Sequence, residues 1–365
     1  MSGSSLDGLD LALGKFVFRG EALQSWRALA CGSRSFSVEW SSRLRGLPQG
    51  SALDLASAHA AFGRYLGEHA LDFLRPVKAP VDAIASHGHT IFHFPKAGIT
   101  TQIGDGAAIA AVTGLPAIDN FRMQDVIHGG QGAPIAPVAD QYLFPDFTFL
   151  LNLGGIANIS AKTERGYVAF DCTGANQVLN ALAGEAGLAY DEGGKLARSG
   201  CLIPELLEKA LALPYHAANY PKSLGNDWVQ EQLLPLYLNS EAPVADRLHT
   251  ACWQIARSIR NSLADIEARE TIAPPPHTLL ITGGGAFNHF LTNCIRSECG
   301  KSRSLAVKIP EAPIIEYKEA LLMALMGALR LKGWGNTLPS ATGSSAATCG
   351  GGLHLGAPID QAMHG

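Results

Sequence analysis

The first chemically informative segment is a glycine-bracketed turn near the amino terminus, Gly3-Ser-Ser-Leu-Asp-Gly-Leu-Asp10. Glycine lets backbone amides approach an anion without a Cβ in the way, and the two serines add hydroxyl donors. Asp7 and Asp10 are hard oxygen ligands that could hold a magnesium ion through its waters. Turns of Ser, Asp and Gly are common, so this segment alone leaves both phosphate binding and an ordinary hairpin open.

Two more glycine turns occur further along the chain, Gly154-Gly155 and Gly283-Gly284-Gly285. Two hairpin turns that face each other across a cleft can clamp the phosphates of a nucleotide. A third turn, where a strand leads into a helix, leaves room for the purine and ribose. Each turn could be only a tight connection, but the three together favour a nucleotide clamp.

An acidic residue, Asp171, lies in the segment Phe170-Asp-Cys-Thr-Gly-Ala-Asn176. We predict that it follows a strand and precedes a helix, where a carboxylate could act as a general base. Capping of the following helix is the alternative, because Asp and Asn are frequent helix caps.

Histidines and an arginine form the remaining candidates for chemistry. His87-Gly-His89 has the spacing of a metal pair, but zinc sites need three or four ligands, so hydrogen bonding to substrate or backbone is favoured. Arg122 follows a predicted strand and could hold a carboxylate or phosphate with two hydrogen bonds. A structural ion pair with Asp125 is the alternative for Arg122.

Composition limits the class of protein. The chain has 365 residues, 47% of them hydrophobic, which is enough for a large core and two domains. A formal net charge of −4 argues against nucleic-acid binding, which calls for a basic face. We find neither an apolar run long enough to span a membrane nor a secretory signal, so we expect a cytoplasmic protein. Seven cysteines without a CxxC pair indicate reduced thiols.

Predicted strands alternate with predicted helices, which indicates an α/β protein. Ser51 and Asp54 predict the capped start of an amphipathic helix that runs to Leu74. The loop Gly129-Gly-Gln-Gly-Ala-Pro134 is a predicted domain boundary. The other predicted helices are 106–113, 176–186, 204–211, 247–267 and 319–331, and the predicted strands are 81–85, 116–119, 147–153, 156–160, 167–170 and 278–282.

With these motifs in one order, the chain resembles the anhydro-N-acetylmuramic acid kinases, of the sugar kinase/actin-like ATPase superfamily. The resemblance covers almost the whole chain. Its blocks are Gly3 to Asp10, Ser86-His-Gly-His-Thr90, Gln102-Ile-Gly-Asp105, Asp119-Asn-Phe-Arg122, Gly129 to Pro134, Asn152-Leu-Gly-Gly-Ile-Ala-Asn158, Asp171 to Asn176, Pro221-Lys-Ser223, Gly283-Gly-Gly-Ala-Phe-Asn288, Lys318-Glu-Ala320 and Leu338-Pro-Ser-Ala-Thr-Gly343.

The resemblance implies a fold and a reaction. The fold is α/β, a two-lobed ribonuclease H-like/actin-like ATPase fold with a central nucleotide and sugar cleft. The lobes would be residues 1–128 and 129–340, with a tail, 341–365, that returns to the first lobe. The reaction opens the 1,6-anhydro ring of anhydro-N-acetylmuramic acid with water and phosphorylates O6 from ATP, during peptidoglycan recycling. ATP, Mg²⁺ and the sugar are the implied ligands, and a homodimer is the implied assembly.

The resemblance also assigns residues. Asp171 matches the catalytic base that activates water. His87, Arg122 and Asn176 are expected to bind the sugar, and Mg²⁺ is carried by ATP, with Asp7 or Asp10 as ligands through water. The residues expected to bind ATP are Gly3, Ser4, Ser5, Leu6, Asp7, Gly8, Leu9, Asp10, Gly154, Gly155, Gly283, Gly284 and Gly285.

The chain departs from the family pattern in three places. Family members carry an apolar strand before the first glycine turn, and its absence here would leave a slot in the sheet. His89 replaces a common glutamine, and Asp-Cys-Thr-Gly-Ala-Asn replaces Asp-Thr-Gly-Pro-Gly-Asn. Two other functions therefore stay open at this point: a nucleotide- or sugar-binding protein without turnover, and a metal-dependent hydrolase that uses His87 and His89.

Overall fold

The computed structural model describes residues 1–2, 6, 8–300 and 305–356. Two compact units share the chain: the first comprises residues 1–143 and the segment from Tyr317 onward, and the second comprises Phe144–Glu316. The domain boundaries predicted from the sequence, 129 and 341, differ from the positions at which the chain passes between these units, after 143 and after 316. The functional lobes defined by 129 and 341 stay a prediction.

Twelve strands are formed by the described residues. In chain order they are β1 (Gly8–Arg19), β2 (Ala22–Ser35), β3 (Ile84–Ala85), β4 (His89–Phe94), β5 (Ile99–Ile103), β6 (Ala117–Asp119), β7 (Phe149–Leu153), β8 (Ile156–Thr163), β9 (Gly166–Gly174), β10 (His277–Thr282), β11 (Leu305–Lys308) and β12 (Gly352–His354).

The α-helices of the same residues lie between these strands. They are α1 (Val38–Gly46), α2 (Ala52–Leu74), α3 (Gly106–Thr113), α4 (Met123–Ile127), α5 (Ala136–Leu143), α6 (Asn176–Glu185), α7 (Lys195–Ser199), α8 (Pro204–Leu211), α9 (Pro214–Ala217), α10 (Asn226–Trp228), α11 (Leu234–Leu238), α12 (Val244–Arg269), α13 (His289–Gly300), α14 (Ala312–Lys332) and α15 (Pro339–Thr342). Mixed sheets with helices confirm the α/β prediction.

The second unit is built on one five-stranded sheet, in the order β11-β10-β7-β8-β9. β10 pairs in parallel with β7 and with β11, whereas β7, β8 and β9 form an antiparallel meander. α12 covers this sheet with an apolar stripe of Ile255, Ile259, Leu263 and Ile266, all fully buried. The predicted helix over 247–267 is therefore confirmed, with three more residues at its start and two more at its end.

The first unit carries three smaller sheets: the hairpin β1-β2, the order β12-β6-β3, and the hairpin β4-β5. α2 packs beneath them, and its capping box is confirmed, because the Asp54 amide donates to Ser51 Oγ (3.1 Å) and the Ser51 amide donates to Asp54 Oδ2 (2.9 Å). Phe62 and Leu66 of α2 contribute to the core of this unit.

Several element boundaries differ from the sequence-based predictions, among them those of β3, β9 and α14. β3 covers only 84–85, because its partner β6 is three residues long. β9 continues to Gly174 rather than ending at Phe170, which places Asp171 inside a strand. The helix predicted over 319–331 begins at Ala312 and has a non-helical backbone at Tyr317. Over the described ranges, no helix combines the length and apolar character that crossing a bilayer requires.

Candidate active site

Two of the predicted glycine turns lie at the same edge of the sheet in the second unit. β7 and β10 are parallel neighbours, and Thr282, the last residue of β10, is opposite Asn152 of β7. Gly154-Gly155 and Gly283-Gly284-Gly285 directly follow these strand ends. Carboxyl ends of parallel strands are the usual location of ligand sites in α/β proteins.

The two glycine turns touch each other. Gly283 has a φ of +79°, a left-handed value that favours glycine, and a Cβ there would lie 2.6 Å from Asn152 Oδ1. A Cβ on Gly285 would lie 2.7 Å from the Cβ of Leu153. Only glycine fits such close approach of two backbone segments, so the turn over 283–285 has a packing requirement as well as a conformational one.

Asn176 joins the same group of turns. Its Nδ2 donates to the Leu153 carbonyl (3.0 Å), and its backbone amide donates to the Gly154 carbonyl (3.1 Å). The structure thus brings together three sequence-predicted features: the two glycine turns and Asn176. Asn176 lies beside the turns predicted for the nucleotide, and its predicted contact with sugar stays a prediction.

We expect Gly283→Ala to destabilise the fold by about 1–3 kcal/mol, because alanine would have to adopt the left-handed φ of Gly283 and its Cβ would clash with Asn152. Gly187→Ala is the matched control, since Gly187 has a φ of +75° but nothing lies within 4 Å of its Cβ position. Urea unfolding of both variants measures the difference. Equal losses of free energy of unfolding would contradict the close packing at Gly283.

Asp171 lies within β9, opposite Asn158 of β8. Its Oδ2 accepts a hydrogen bond from the Leu224 amide (2.8 Å), and its backbone carbonyl accepts one from Tyr215 Oη (2.7 Å). The helix-capping alternative is wrong, because α6 begins at Asn176 and its N-cap residue is Ala175. Burial raises the pKa of the Asp171 carboxyl, and the Leu224 amide partly opposes this rise.

The segment from 215 to 224 was not assigned a role by sequence reasoning, yet it surrounds Asp171. Lys222 Nζ donates to the Tyr215 carbonyl (3.2 Å) and lies 4.7 Å from the centroid of the Tyr215 ring. Burial lowers the pKa of Lys222 and lowers that of His216 to about 4. The block Pro221-Lys-Ser223 was the only sequence signal for this segment, and it carried no chemistry by itself.

The first unit pairs His87 with Arg122. Arg122 Nε donates to His87 Nε2 (2.8 Å), so the proton of the neutral ring is on Nδ1, which donates to the Gly88 carbonyl (3.2 Å). Burial, reinforced by the Arg122 charge, lowers the pKa of His87 to about 3. Burial also lowers the pKa of Arg122. A neutral histidine therefore orients this guanidinium, and its two terminal nitrogens remain as donors for an anion or hydroxyl.

The ion pair considered for Arg122 and Asp125 does not form between these two described residues. Asp125 is buried and accepts hydrogen bonds from the Gly132 amide (2.8 Å) and from Thr342 Oγ1 (2.7 Å). It stabilises the loop that contains Gly132, whereas Arg122 is held by His87.

His87 and His89 each form a hydrogen bond with another side chain. His87 Nε2 accepts from Arg122, and His89 Nδ1 forms a 2.9 Å hydrogen bond with Ser2 Oγ. Within 1–2, 6, 8–300 and 305–356, no group of three or more His, Cys, Asp or Glu residues has the arrangement of a metal site. The contacts favour hydrogen bonding over the hydrolase alternative.

The amino-terminal glycine turn is only partly described. Gly3, Ser4, Ser5 and Asp7 lie outside the described residues. Leu6 has a φ of +57°, and Gly8 begins β1. The Leu9 side chain is buried in the core of the first unit, so only its backbone could contact a nucleotide. Asp10 Oδ1 accepts a hydrogen bond from Ser33 Oγ (2.8 Å).

Comparison with known families gives one match across nearly the whole chain. The family described as anhydro-N-acetylmuramic acid kinase matches residues 1–356. Proteins with this name from Gloeobacter violaceus and Coxiella burnetii are 33% and 32% identical to the chain. The first alignment covers 97% of both proteins, and the second covers 98% of this chain and 96% of the relative. A third, from Pseudomonas syringae, is 31% identical over 94% of each chain.

Solved structures are more distant. A putative N-acetylmannosamine kinase from Listeria monocytogenes is 14% identical, with a TM-score of 0.34 over 87% of this chain and 96% of its own. A glucose-bound hexokinase from Schistosoma mansoni is 12% identical, with a TM-score of 0.33 over 87% of this chain and 83% of its own.

Proposed function

Because the chain belongs to the anhydro-N-acetylmuramic acid kinase family, we propose that its ATP-dependent reaction uses Asp171 as the base that activates water. The protein is a sugar kinase of peptidoglycan recycling, and its substrates are the anhydro sugar and ATP. The roles of individual residues, the metal and the order of bond changes are the parts that we propose.

The proposed reaction is a coupled hydrolysis and phosphoryl transfer. The water oxygen bonds to C1 of the anhydro sugar as the bond between C1 and O6 breaks, and the bonding electrons pass to O6. O6 then bonds to the γ-phosphorus of ATP, the bond to the β,γ-bridging oxygen breaks, and ADP leaves. One water proton passes to the Asp171 carboxylate. The product is N-acetylmuramic acid 6-phosphate.

The observation that supports this role is the setting of the Asp171 carboxylate. It is half-buried, it keeps one hydrogen bond, from the Leu224 amide, and burial raises its pKa. A carboxylate with a raised pKa is a stronger base than one exposed to water, and general-base catalysis contributes about 10²–10⁴-fold to rate. The hydrogen bond from the Leu224 amide fixes Asp171 Oδ2, which leaves Oδ1 for water.

The second unit supplies the features that suit nucleotide phosphates. At Gly154-Gly155 and Gly283-Gly284 the backbone carries no side chain and is partly or fully exposed at the ends of parallel strands, whereas Gly285 is buried. Backbone amides in such turns bind anions. We propose that these turns hold phosphates of ATP. Phosphate binding by the turn at Gly3–Asp10 of the first unit, whose described part includes Asp10, is a separate proposal.

Magnesium fits the carboxylate of Asp10. Its Oδ1 accepts from Ser33, and carboxylate oxygens can also accept hydrogen bonds from waters bound to a hard cation. We propose that Asp10, with Asp7, would hold Mg²⁺ through such waters. When bound, the ion would neutralise phosphate charge during transfer.

We propose that the first unit binds the sugar through Arg122. Its guanidinium is fixed by His87, and fixed donors bind carboxylate or phosphate oxygens with defined geometry. The lactyl carboxylate of the sugar and the transferring phosphoryl group are the two anions available in this reaction. Cytoplasmic location and homodimer formation also stay proposals.

The pH dependence of turnover follows from the raised pKa of Asp171. The base must be ionised to accept a proton, so kcat/KM falls as the pH drops through this pKa. Because burial raises the value, we expect the acid limb above the ordinary aspartate pKa of about 3.9. Initial rates with the sugar varied at saturating Mg²⁺ and ATP, between about pH 3 and 8, measure kcat/KM, and an acid limb at or below the ordinary aspartate pKa would contradict a buried base.

A product assay tests the function itself. Purified protein is incubated with ATP, Mg²⁺ and anhydro-N-acetylmuramic acid, and the sugars are identified by mass spectrometry. We expect ATP-dependent conversion to N-acetylmuramic acid 6-phosphate with one ADP per sugar. Binding of both ligands without conversion would instead indicate a protein that binds the sugar without turnover.

A further inference from the structure

Gln177 and Asn226 form a hydrogen bond that joins two parts of the second unit. Gln177 is the second residue of α6, and Asn226, 49 positions later, begins α10. Gln177 Nε2 donates to Asn226 Oδ1 (2.6 Å). Neither residue takes part in the proposed reaction, yet Gln177 adjoins a glycine turn and Asn226 is close in sequence to the residue that holds the Asp171 carboxylate.

Gln177 is attached to the Gly154-Gly155 turn. The Gly155 carbonyl accepts hydrogen bonds from the Ala175 amide (2.8 Å) and from the Gln177 amide (3.2 Å). The Gly154 carbonyl accepts one from the Asn176 amide (3.1 Å). A Cβ on Gly155 would lie 3.1 Å from Gln177 Cγ, so the side chain also packs on the turn. The turn that we assign to phosphate therefore sets the position of the Gln177 side chain.

Asn226 is close to the group that holds the Asp171 carboxylate. Leu224 lies two residues before Asn226, and its amide donates to Asp171 Oδ2 (2.8 Å). Two residues of extended chain span at most about 7 Å, so a shift of Asn226 passes to the Leu224 amide through Gly225. The contact at Asn226 thus limits the positions that the Leu224 amide can take.

The chain on either side of this stretch has anchors of its own. Before it, Lys222 Nζ donates to the Tyr215 carbonyl (3.2 Å), and Tyr215 Oη donates to the Asp171 carbonyl (2.7 Å). After it, Val229 is fully buried in the core of the second unit. Four of the five residues 223–227 are exposed. Loss of the bond to Gln177 should therefore loosen 223–227 and leave the rest of the segment in place.

Fold stability is a weak explanation for the polar side chain of Gln177. Its Oε1 atom is buried, and no described residue is the hydrogen-bond partner of this atom. A buried acceptor without a partner costs as much stability as one hydrogen bond contributes, or more. The bond to Asn226 therefore brings little net stability, and its main effect is to place Asn226.

We propose that Gln177 and Asn226 are positioning residues for the reaction. Their hydrogen bond fixes the Leu224 amide relative to the Gly154-Gly155 turn, and this amide fixes the Asp171 carboxylate. Both roles rest on the proposed function, in which Asp171 is the base and this turn binds phosphate. Water attack and phosphoryl transfer take place on one sugar, so the base and the phosphates must be held in a defined geometry.

The pH dependence of turnover distinguishes positioning from a purely structural role. The Leu224 amide lowers the pKa of Asp171, against the larger rise caused by burial. If the amide moves away, this pKa rises further, and the acid limb of kcat/KM moves to higher pH. A variant that only loses folded protein keeps its acid limb at the original pH.

Other titratable groups adjoin Asp171, and one of them also changes charge at acid pH. They are Cys172 on β9, Tyr215, His216 and Lys222 on the segment after α8, and Asp265 on α12, beside Lys222. Burial raises the pKa of Cys172 to about 12 and also raises that of Tyr215, so both stay neutral below pH 8. Burial lowers the pKa of His216 to about 4, so the Asp171 carboxyl must also be observed directly.

Two substitutions break the hydrogen bond. Gln177→Met removes both polar atoms and keeps an unbranched side chain, and Asn226→Leu removes the acceptor. We expect each to lower kcat about tenfold, with the KM for ATP within about threefold of the original, because the base is misplaced and the phosphate turn is kept. The acid limb should move to higher pH, and Tm should fall by no more than about 3 °C. Asn180→Leu, exposed on α6, is the control and should match the original chain.

A combined variant and a conservative one test whether the pair acts as a unit. Gln177→Met together with Asn226→Leu should lower kcat no more than either change alone. Asn226→Asp keeps an acceptor for Gln177 Nε2, so its kcat on the pH plateau should stay near that of the original chain. Unchanged kcat and acid limb in both single variants, additive losses in the combined variant, or Asn226→Asp as slow as Asn226→Leu would each overturn the proposal.

Two measurements on the same variants need no turnover. Amide exchange at Leu224 should be at least about tenfold faster in Gln177→Met and in Asn226→Leu. The ¹³C-labelled carboxyl of Asp171, assigned with Asp171→Asn, should titrate at a higher pH in both than in the original chain. If Asp171→Asn abolishes turnover and both measurements are unchanged, the positioning proposal is overturned and the base is retained. Normal turnover in Asp171→Asn would instead overturn the proposed base, on which the positioning roles rest.

Discussion

Replacing Asp171 by asparagine should lower kcat by about 10²–10⁴-fold and leave nucleotide affinity within about threefold, because an amide cannot accept the water proton. Asparagine has nearly the same shape as aspartate, and its amide oxygen can still accept the hydrogen bond from the Leu224 amide. The fold should therefore be retained. A coupled assay for ADP measures turnover, and titration with a fluorescent ATP analogue measures nucleotide binding.

Asp72→Asn is the control for this change. Asp72 is an exposed residue of α2 that pairs with Arg75, and surface pairs of this kind contribute little to stability. We expect near-normal turnover in the control. Near-normal turnover in Asp171→Asn would remove Asp171 from the role of base, while loss of ATP binding in that variant would indicate a structural role instead.

Replacing Arg122 by lysine is expected to lower kcat/KM by about 10²–10³-fold, the range seen when one preorganised donor is lost. Lysine keeps the charge, but it has no planar fork and cannot donate to His87 as the Arg122 Nε does. Arg64→Lys, on the exposed surface of α2, is the control and should be neutral. Steady-state kinetics with the sugar varied at saturating ATP measure both variants.

A double-mutant cycle tests whether His87 acts through Arg122. His87→Ala removes the acceptor that orients the guanidinium. If the two residues work as one unit, adding His87→Ala to Arg122→Lys should cost little more than Arg122→Lys alone. Fully additive losses would show that His87 has a role independent of Arg122, and an unchanged kcat/KM in Arg122→Lys would remove Arg122 from the site.

Local signals in the sequence predicted local structure well. The capping box at Ser51 and Asp54 and the apolar stripe of α12 were both confirmed, because helix caps and helical periodicity involve residues three or four positions apart. The hairpin β1-β2 was not predicted. Its strands mix apolar residues with charged ones such as Lys15 and Arg27, which weakens the alternating pattern.

The contacts around the candidate site depend on residues far apart in sequence. Arg122 and His87 are separated by 35 positions, and Leu224 is 53 positions from the Asp171 carboxylate that it contacts. No periodicity or turn motif encodes such pairs. The glycine turns could be predicted because glycine is the residue type that suits a left-handed φ, as at Gly283. Their close approach could not be predicted, because it depends on the parallel pairing of β7 with β10.

Isotope labelling tests the central claim most directly, namely that water attacks C1 while O6 takes the phosphoryl group. The reaction is run briefly in H₂¹⁸O with ATP and Mg²⁺, and the sugar phosphate is fragmented in a mass spectrometer, with authentic N-acetylmuramic acid 6-phosphate in the same water as a control for exchange. We predict one ¹⁸O at C1 and none in the phosphate. Label in released inorganic phosphate, or an unlabelled C1 in the product, would contradict the account.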